Sequence, residues 1–497
     1  MTMTPRLKLV TALAVAGFAC PAFAAPEAAD TATLQRLLER LERLEAQNTR
    51  LASEIRELKQ EKAAIAHSLS SDRLSEKEPE LTTRLKAVEQ DVVALKPSAK
   101  LAEKLDGIEV EAGLTTVWQR ASGLPHGTRD NGDKFNYRAD LAVTAPLESI
   151  GDVEHKLFAH LRVGQGQGVN EPFGYLGHFS APNASAFAVS GADPDDSVAL
   201  LSEAWYQAAI PLSAAGRPSH HLEVTFGKID IYGFFDQNEA AGDETSQFLN
   251  SALVSNPLLD LGGEVGVDAN GTQPGLIASY VNEFDSAYPW RVALGVFGAG
   301  QTGSNYQDTA DAPLVIAQFD TTLKPFPGLA GNYRAYAWTR RDVPRFLDDT
   351  TSEQHTGFGL SIDQKVASGV TLFGRYGQLL KGKLPFERAY VFGAQVSGNY
   401  WGRANDALGI GASWLKAGSA YKRAGGEGYL SADSYDNGIA DFTFTPSGAE
   451  RIAEIYYRFH LNSQFSLSPD VQWIQRGGAN RHADPVTVFG LRANIAY

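Results

Sequence analysis

The side chains best placed for chemistry in this sequence are arginines set at alternate positions among histidines, carboxylates and aromatic rings. Arg162 follows His160 by two residues. Glu454, Arg458 and His460 share one two-residue register, and Arg375 lies in an alternating stretch of its own. Arginine offers five N–H donors in a rigid fork and stays charged, so a row of them can replace water around hydroxyl or carboxylate oxygens. Arg334, Tyr336, Trp338 and Arg340 repeat the same step and would set two aromatic rings between two guanidinium groups. Turned outward, that face would be an interfacial belt with snorkelling arginines. Arginine is costly against lipid at mid-depth, which favours the inward orientation. Asp236 and Asn238, followed by Asp243 and Glu244, form a polar stretch after Phe234. It reads as a folded-in loop that narrows a channel, or as an ordinary loop of turn-forming residues. For any one of these residues the plainer role is to solvate a water-filled interior and pair with its neighbours.

Signals for catalysis are weak. Gly298-Ala299-Gly300-Gln301-Thr302-Gly303 fits the dinucleotide pattern, but Ser304-Asn305-Tyr306-Gln307 does not open an apolar helix, so it reads as a hairpin loop. There is no Gly-x-Ser-x-Gly elbow and no His-Glu-x-x-His. The ten histidines do not recur at metal-ligand spacing, so neither a metal site nor a cofactor is expected.

The two-residue step also fixes the elements that must carry these side chains. In Lys156 to Val163, Leu157, Ala159, Leu161 and Val163 oppose Lys156, Phe158, His160 and Arg162. In Glu454 to Leu461, Ile455, Tyr457, Phe459 and Leu461 oppose Glu454, Tyr456, Arg458 and His460. The final segment alternates through Phe489, Leu491, Ala493 and Ile495 to the terminal Tyr497. A soluble sandwich would also alternate. An export signal and roughly 390 residues of alternation, ending on an aromatic, point instead to an all-β transmembrane barrel. At about 24 residues per strand and connection, around 16 antiparallel strands are expected, with 18 as the alternative. Composition agrees: a barrel shows lipid only every second residue of each strand, so a mean hydropathy of −0.22 and a charge of −14 are compatible with membrane insertion. The seven tryptophans are expected largely at the membrane interfaces.

Three regions follow. Residues 1–24 read as a signal peptide, with Arg6 and Lys8 before an apolar core and Ala22-Phe23-Ala24 as the cleavage site. A lipoprotein signal at Cys20 would need an aliphatic residue three places earlier, where Gly17 stands. Cleavage removes the single cysteine and takes the charge to −16, against a nucleic-acid partner. Residues 30–98 read as a periplasmic coiled coil and linker. Leu34, Leu41, Asn48, Ile55 and Lys62 occupy one core position, and Leu37, Leu44, Leu51, Leu58 and Ile65 the other. Leu34 to Leu69 would pair with further copies of the chain, Asn48 fixing the register, or engage a cell-wall or periplasmic partner. Residues 105–497 form the barrel, placed in a Gram-negative outer membrane.

Particular segments go further. The run Gly227-Lys228-Ile229-Asp230-Ile231-Tyr232-Gly233-Phe234-Phe235-Asp236-Gln237-Asn238, continuing through Asp243 to Ser251 and Asn256-Pro257, resembles the carbohydrate-selective porin family of OprB type. So do Gly357 to Gln364, Gly374-Arg375-Tyr376-Gly377, Gly402-Arg403-Ala404-Asn405-Asp406-Ala407-Leu408-Gly409, and the stretch from Pro469 to Arg492. The resemblance covers most of 105–497 in order. It implies a single-chain, non-enzymatic barrel admitting sugars by passive diffusion, and it adds Arg403 and Asp406 to the candidate solute contacts. A coiled coil is not part of the basic pattern of that family. A broad-specificity or anion-favouring pore, and a tether acting through the coil, are the alternatives.

Overall fold

A computed structural model describes residues 107–497 apart from 126–127, 129–131, 188–195, 213–219, 262–271, 299–308, 346–347, 427–430 and 433–441. The expected signal peptide and coiled coil lie outside the described residues.

Sixteen antiparallel strands close into a barrel. In chain order they are β1 (Glu109–Ser122), β2 (Asp133–Ile150), β3 (Val153–Gln165), β4 (Val198–Pro211), β5 (His220–Asp230), β6 (Thr272–Asn282), β7 (Trp290–Phe297) and β8 (Leu314–Phe326). There follow β9 (Leu329–Arg345), β10 (Asp348–Ala367), β11 (Val370–Lys381), β12 (Phe386–Ser397) and β13 (Ala407–Ala417). A two-stranded hairpin, β14 (Ser431–Ala432) and β15 (Phe442–Thr443), interrupts the series before β16 (Ala449–His460), β17 (Phe465–Gln475) and β18 (Val486–Ala496). Each barrel strand pairs with its chain neighbour, β13 reaching β16 across the hairpin. The seam is β1 on β18, in register from Gly113↔Ala496 to Ser122↔Thr487. The terminal residue locks it: Tyr497 N–H donates to Ala112 O at 2.8 Å, and Ala112 N–H donates back at 2.9 Å.

The alternation read from the sequence is the alternation of the wall. On β16, Glu450, Ile452, Glu454 and Tyr456 are buried inside, while Arg451 and Ile455 are exposed outside. Phe226, Leu294, Phe392, Ile410 and Phe489 add to an exposed apolar surface of the kind a membrane barrel turns to lipid. The tryptophans divide: Trp118, Trp414 and Trp473 face outward, whereas Trp338 is buried on the inner face.

Glycine lets large rings lie flat on the inner wall. Gly357 is the cross-strand partner of Trp338, and Gly359 that of Tyr336. A Cβ on Gly357 would stand 2.2 Å from Trp338 Cζ2, and one on Gly359 2.3 Å from Tyr336 Cε2. Gly409 under Tyr456 and Gly275 beside Phe297 repeat the device. Each ring occupies the space that a neighbouring side chain would need.

Connections at one end are short, such as Gly151-Asp152 and Pro327-Gly328. Those at the other end include 166–197, 231–271 and 418–448. In outer-membrane barrels the short turns are periplasmic and the long loops extracellular.

Candidate functional site

Two long loops fold into the barrel and are tied to its wall by backbone N–H groups donating to buried carboxylates. Loop 231–261 begins with a single helical turn (Ile231–Gly233) capped by Asp230, whose Oδ1 accepts from the Tyr232 N–H at 2.9 Å. Glu454 Oε1 then accepts from Leu249 N–H at 2.6 Å and Oε2 from Asn250 N–H at 2.9 Å. Asn250 caps the short helix α2 (Ser251–Val254), so a barrel carboxylate and a loop cap meet at one point. Four residues earlier on the same face of β16, Glu450 accepts from the N–H groups of Phe179, Ser180 and Gly478. That glutamate holds loop 166–187, which carries helix α1 (Asn170–Tyr175). The loops also bond one another, Ala184 N–H to Leu249 O at 2.7 Å and Ser251 N–H to Ala181 O at 2.9 Å.

Asp236 is buried at the root of the larger loop. Its carboxylate accepts from Tyr336 Oη at 2.6 Å and from Asn256 N–H at 2.6 Å, and it lies 3.0 Å from Arg375 Nε. Arg375 also donates to Leu253 O and Asp236 O. Asn238 donates to Ser361 Oγ and Ile362 O. Of the two readings of this stretch, the geometry is that of a folded-in loop.

The infolding sorts the candidate residues. His160, Arg162, Arg458 and His460 line a cavity of about 790 Å³ at the short-turn end, roofed by Asp243, Thr245 and Ser246 of loop 231–261. Its hub is Asp140, which receives Arg138 Nε at 2.8 Å, Arg162 Nε at 2.7 Å and His160 Nε2 at 2.9 Å. The other ring nitrogen of His160 faces Glu203 at 3.4 Å. Arg138 extends to Glu244 of the loop at 2.7 Å. Phe158 also lines this cavity and stacks on Trp205, the ring centroids 4.7 Å apart and the planes within 20°. Arg458 donates to Ser246 O, leaving its Nε, like His460 Nδ1, without a hydrogen-bond partner.

The β9 face points inward, as the cost of arginine against lipid requires. Arg334 lines a smaller cavity of about 200 Å³ with Gln237, Arg291, Asp320 and Asn332, and closes on Asp363 at 2.7 Å. Tyr336, Trp338 and Arg340, further along, are buried rather than open to a solute. Glu454 and Arg375 likewise face inward, but their polar atoms are occupied by loop 231–261. Arg403 and Asp406 stand apart from both cavities, in the turn joining β12 to β13. There Asp406 takes up Arg403, Tyr457 Oη and the His460 N–H, while the Arg403 guanidinium lies 3.9 Å over the Phe459 ring.

The sequence pattern of the carbohydrate-selective porin, OprB family, matches residues 135–497. The chain belongs to that family. The fold is similar to the high-pH structure of Pseudomonas putida OprB, with a TM-score of 0.61 at 18% identity over 80% of this chain and 96% of that one. The low-pH structure of the same protein gives a TM-score of 0.42 at 16% identity over 80% and 95%. An uncharacterized protein of Aquifex aeolicus (strain VF5) is 36% identical over 110 residues, 22% of this chain. The chain spans about a third (32%) of that relative's length. The protein is thus an outer-membrane porin barrel of a non-enzymatic family.

Sequence reasoning missed Asp140 and Glu203, the carboxylates on which this porin's cavity is organised. The signal was present in part. Asp140 follows Arg138 by two residues in an alternating segment, and it is the cross-strand partner of Arg162. Glu203 is the partner of His160, but a register shift between β3 and β4 beside this pair hides the match from simple alternation.

Proposed function

We propose that this porin passes small neutral carbohydrates by passive diffusion, with contacts to the solute made in the Asp140 cavity. The observation that carries the reading is the pairing of Arg138 and Arg162. Arg138 and Arg162 both close on Asp140, and the lining also holds Glu203 and Asp243, so the cavity has no field of one sign. A matched set of fixed donors and acceptors suits hydroxyl groups, which need both. An anion at Arg138 or Arg162 would have to displace Asp140; Arg458, which donates to Ser246 O, is the lining arginine without a carboxylate partner among the described residues. The stacked Phe158–Trp205 pair offers an apolar face beside these groups, of the kind the C–H side of a sugar ring can cover. No cofactor or energy input enters this reading.

The test is ion current through the purified protein in a planar bilayer while mono- and disaccharides are titrated in. Saturable block is expected, weakened about tenfold or more in Arg162→Ala through loss of a charge-assisted hydrogen bond. A steady current indifferent to every sugar would overturn the proposal.

A further inference from the structure

The outer wall carries a cationic cluster that the transport function does not use. Arg388 on β12 and Lys416 on β13 are direct cross-strand partners. Both share the outward register of Tyr390 and Phe392 on β12 and of Ile410 and Trp414 on β13. Arg451, exposed on β16, is the cross-strand partner of Trp414 and so sits diagonally beside Lys416. Like charges placed directly opposite on a sheet destabilise it, and among the described residues none of the three has an ion-pair partner.

The carboxylates adjacent in sequence are turned to other work. Glu387 accepts from the Ser419 N–H at the start of helix α3 (Ser419–Gly426), and Glu450 is committed to loop 166–187 inside the barrel. All three cations lie at the long-loop ends of their strands, one step beyond an outward apolar run: Tyr390 and Phe392, Trp414 and Ile410, Ala453 and Ile455. Phe392 and Trp414 stack there, centroids 5.0 Å apart. That depth is where the acyl chains of the outer leaflet give way to headgroups.

We propose that Arg388, Lys416 and Arg451 bind the phosphate groups of a phosphorylated glycolipid of the outer leaflet, its acyl chains lying along the Phe392–Trp414 face. An anion between the two paired strands would turn their mutual repulsion into attraction. The aromatic face below gives the site a preference for a lipid over free phosphate.

The probe is bis-phosphorylated lipid A in detergent micelles, compared with its dephosphorylated form, on the full-length folded porin by native mass spectrometry. The wild type should retain the phosphorylated form preferentially. Arg388→Gln/Lys416→Gln/Arg451→Gln should lose the preference, by on the order of a hundredfold if each cation contributes as a basic residue at a membrane surface does. Because none of the three lines a cavity, single-channel conductance should be unchanged and reports that the variant is folded. Should the triple variant fail to insert, Lys416→Gln alone is expected to reduce the preference. Equal retention of both lipid forms by the wild type would overturn the proposal. So would preference surviving in the variants, or displacement of the lipid by millimolar inorganic phosphate.

Discussion

Asp406 shows how a candidate residue can be well partnered and still lie away from the pore. Burial alone would raise its pKa, but the Arg403 guanidinium, the Tyr457 hydroxyl and the His460 N–H together hold it at about 2. The folded value is below the ordinary 3.8, so the turn's stabilisation is complete above that value and disappears as pH falls through about 2. Asp406→Asn should therefore unfold more easily than the wild type at neutral pH. The difference should shrink below about pH 4 and vanish near pH 2 in urea titrations monitored by tryptophan fluorescence. A gap constant with pH would show that the charge of Asp406 contributes nothing. The same residue-level view separates Arg162, whose guanidinium lines a cavity, from Arg375, whose guanidinium is spent on Asp236, Leu253 and the loop root.

Loop 231–261 owes its position to the strands rather than to its own propensities. Its helical elements are a single turn and the four-residue α2, too short to be stable alone. Glu454 supplies what they lack, accepting two backbone N–H groups that would otherwise be buried without partners. Glutamine there would offer one acceptor oxygen and turn an NH₂ donor toward one of those N–H groups. Leaving one of those buried N–H groups without an acceptor costs about 1–3 kcal/mol. Glu454→Gln should therefore loosen the loop, raising single-channel conductance and open-channel noise while the β-sheet circular dichroism is kept. Wild-type conductance in this variant would mean that the remaining ties, such as Asp236 to Arg375, hold the loop by themselves.

At the scale of the whole molecule, the closed sheet leaves no unpaired edge, and its seam uses only residues from Glu109 onward and the last strand. Residues 104–497 form one compact unit. A chain lacking 30–98 but keeping residues 1–24 should therefore insert and conduct as the full chain does. A loss of conductance in bilayers would assign the heptad region a part in barrel assembly.

Much of this was legible in the sequence for one reason: a barrel strand repeats every two residues, so a wall buried on one side and lipid-covered on the other writes its orientation directly into the order of side chains. The inward placement of His160, Arg162, Glu454, Arg458 and His460 and the closing aromatic strand follow from that period, while the expected strand number came from the length of the alternating region. The sequence could not tell which inward residues meet solute and which meet protein, because that depends on where two irregular loops fold. Loop 231–261 covers Tyr336 and Trp338, engages Arg375 and Glu454, and leaves Arg162 beside a cavity. Those outcomes rest on pairings such as Asp236 with Arg375, 139 residues apart, and Leu249 with Glu454, 205 apart. No local period encodes contacts at such separations; only the closed barrel brings them together.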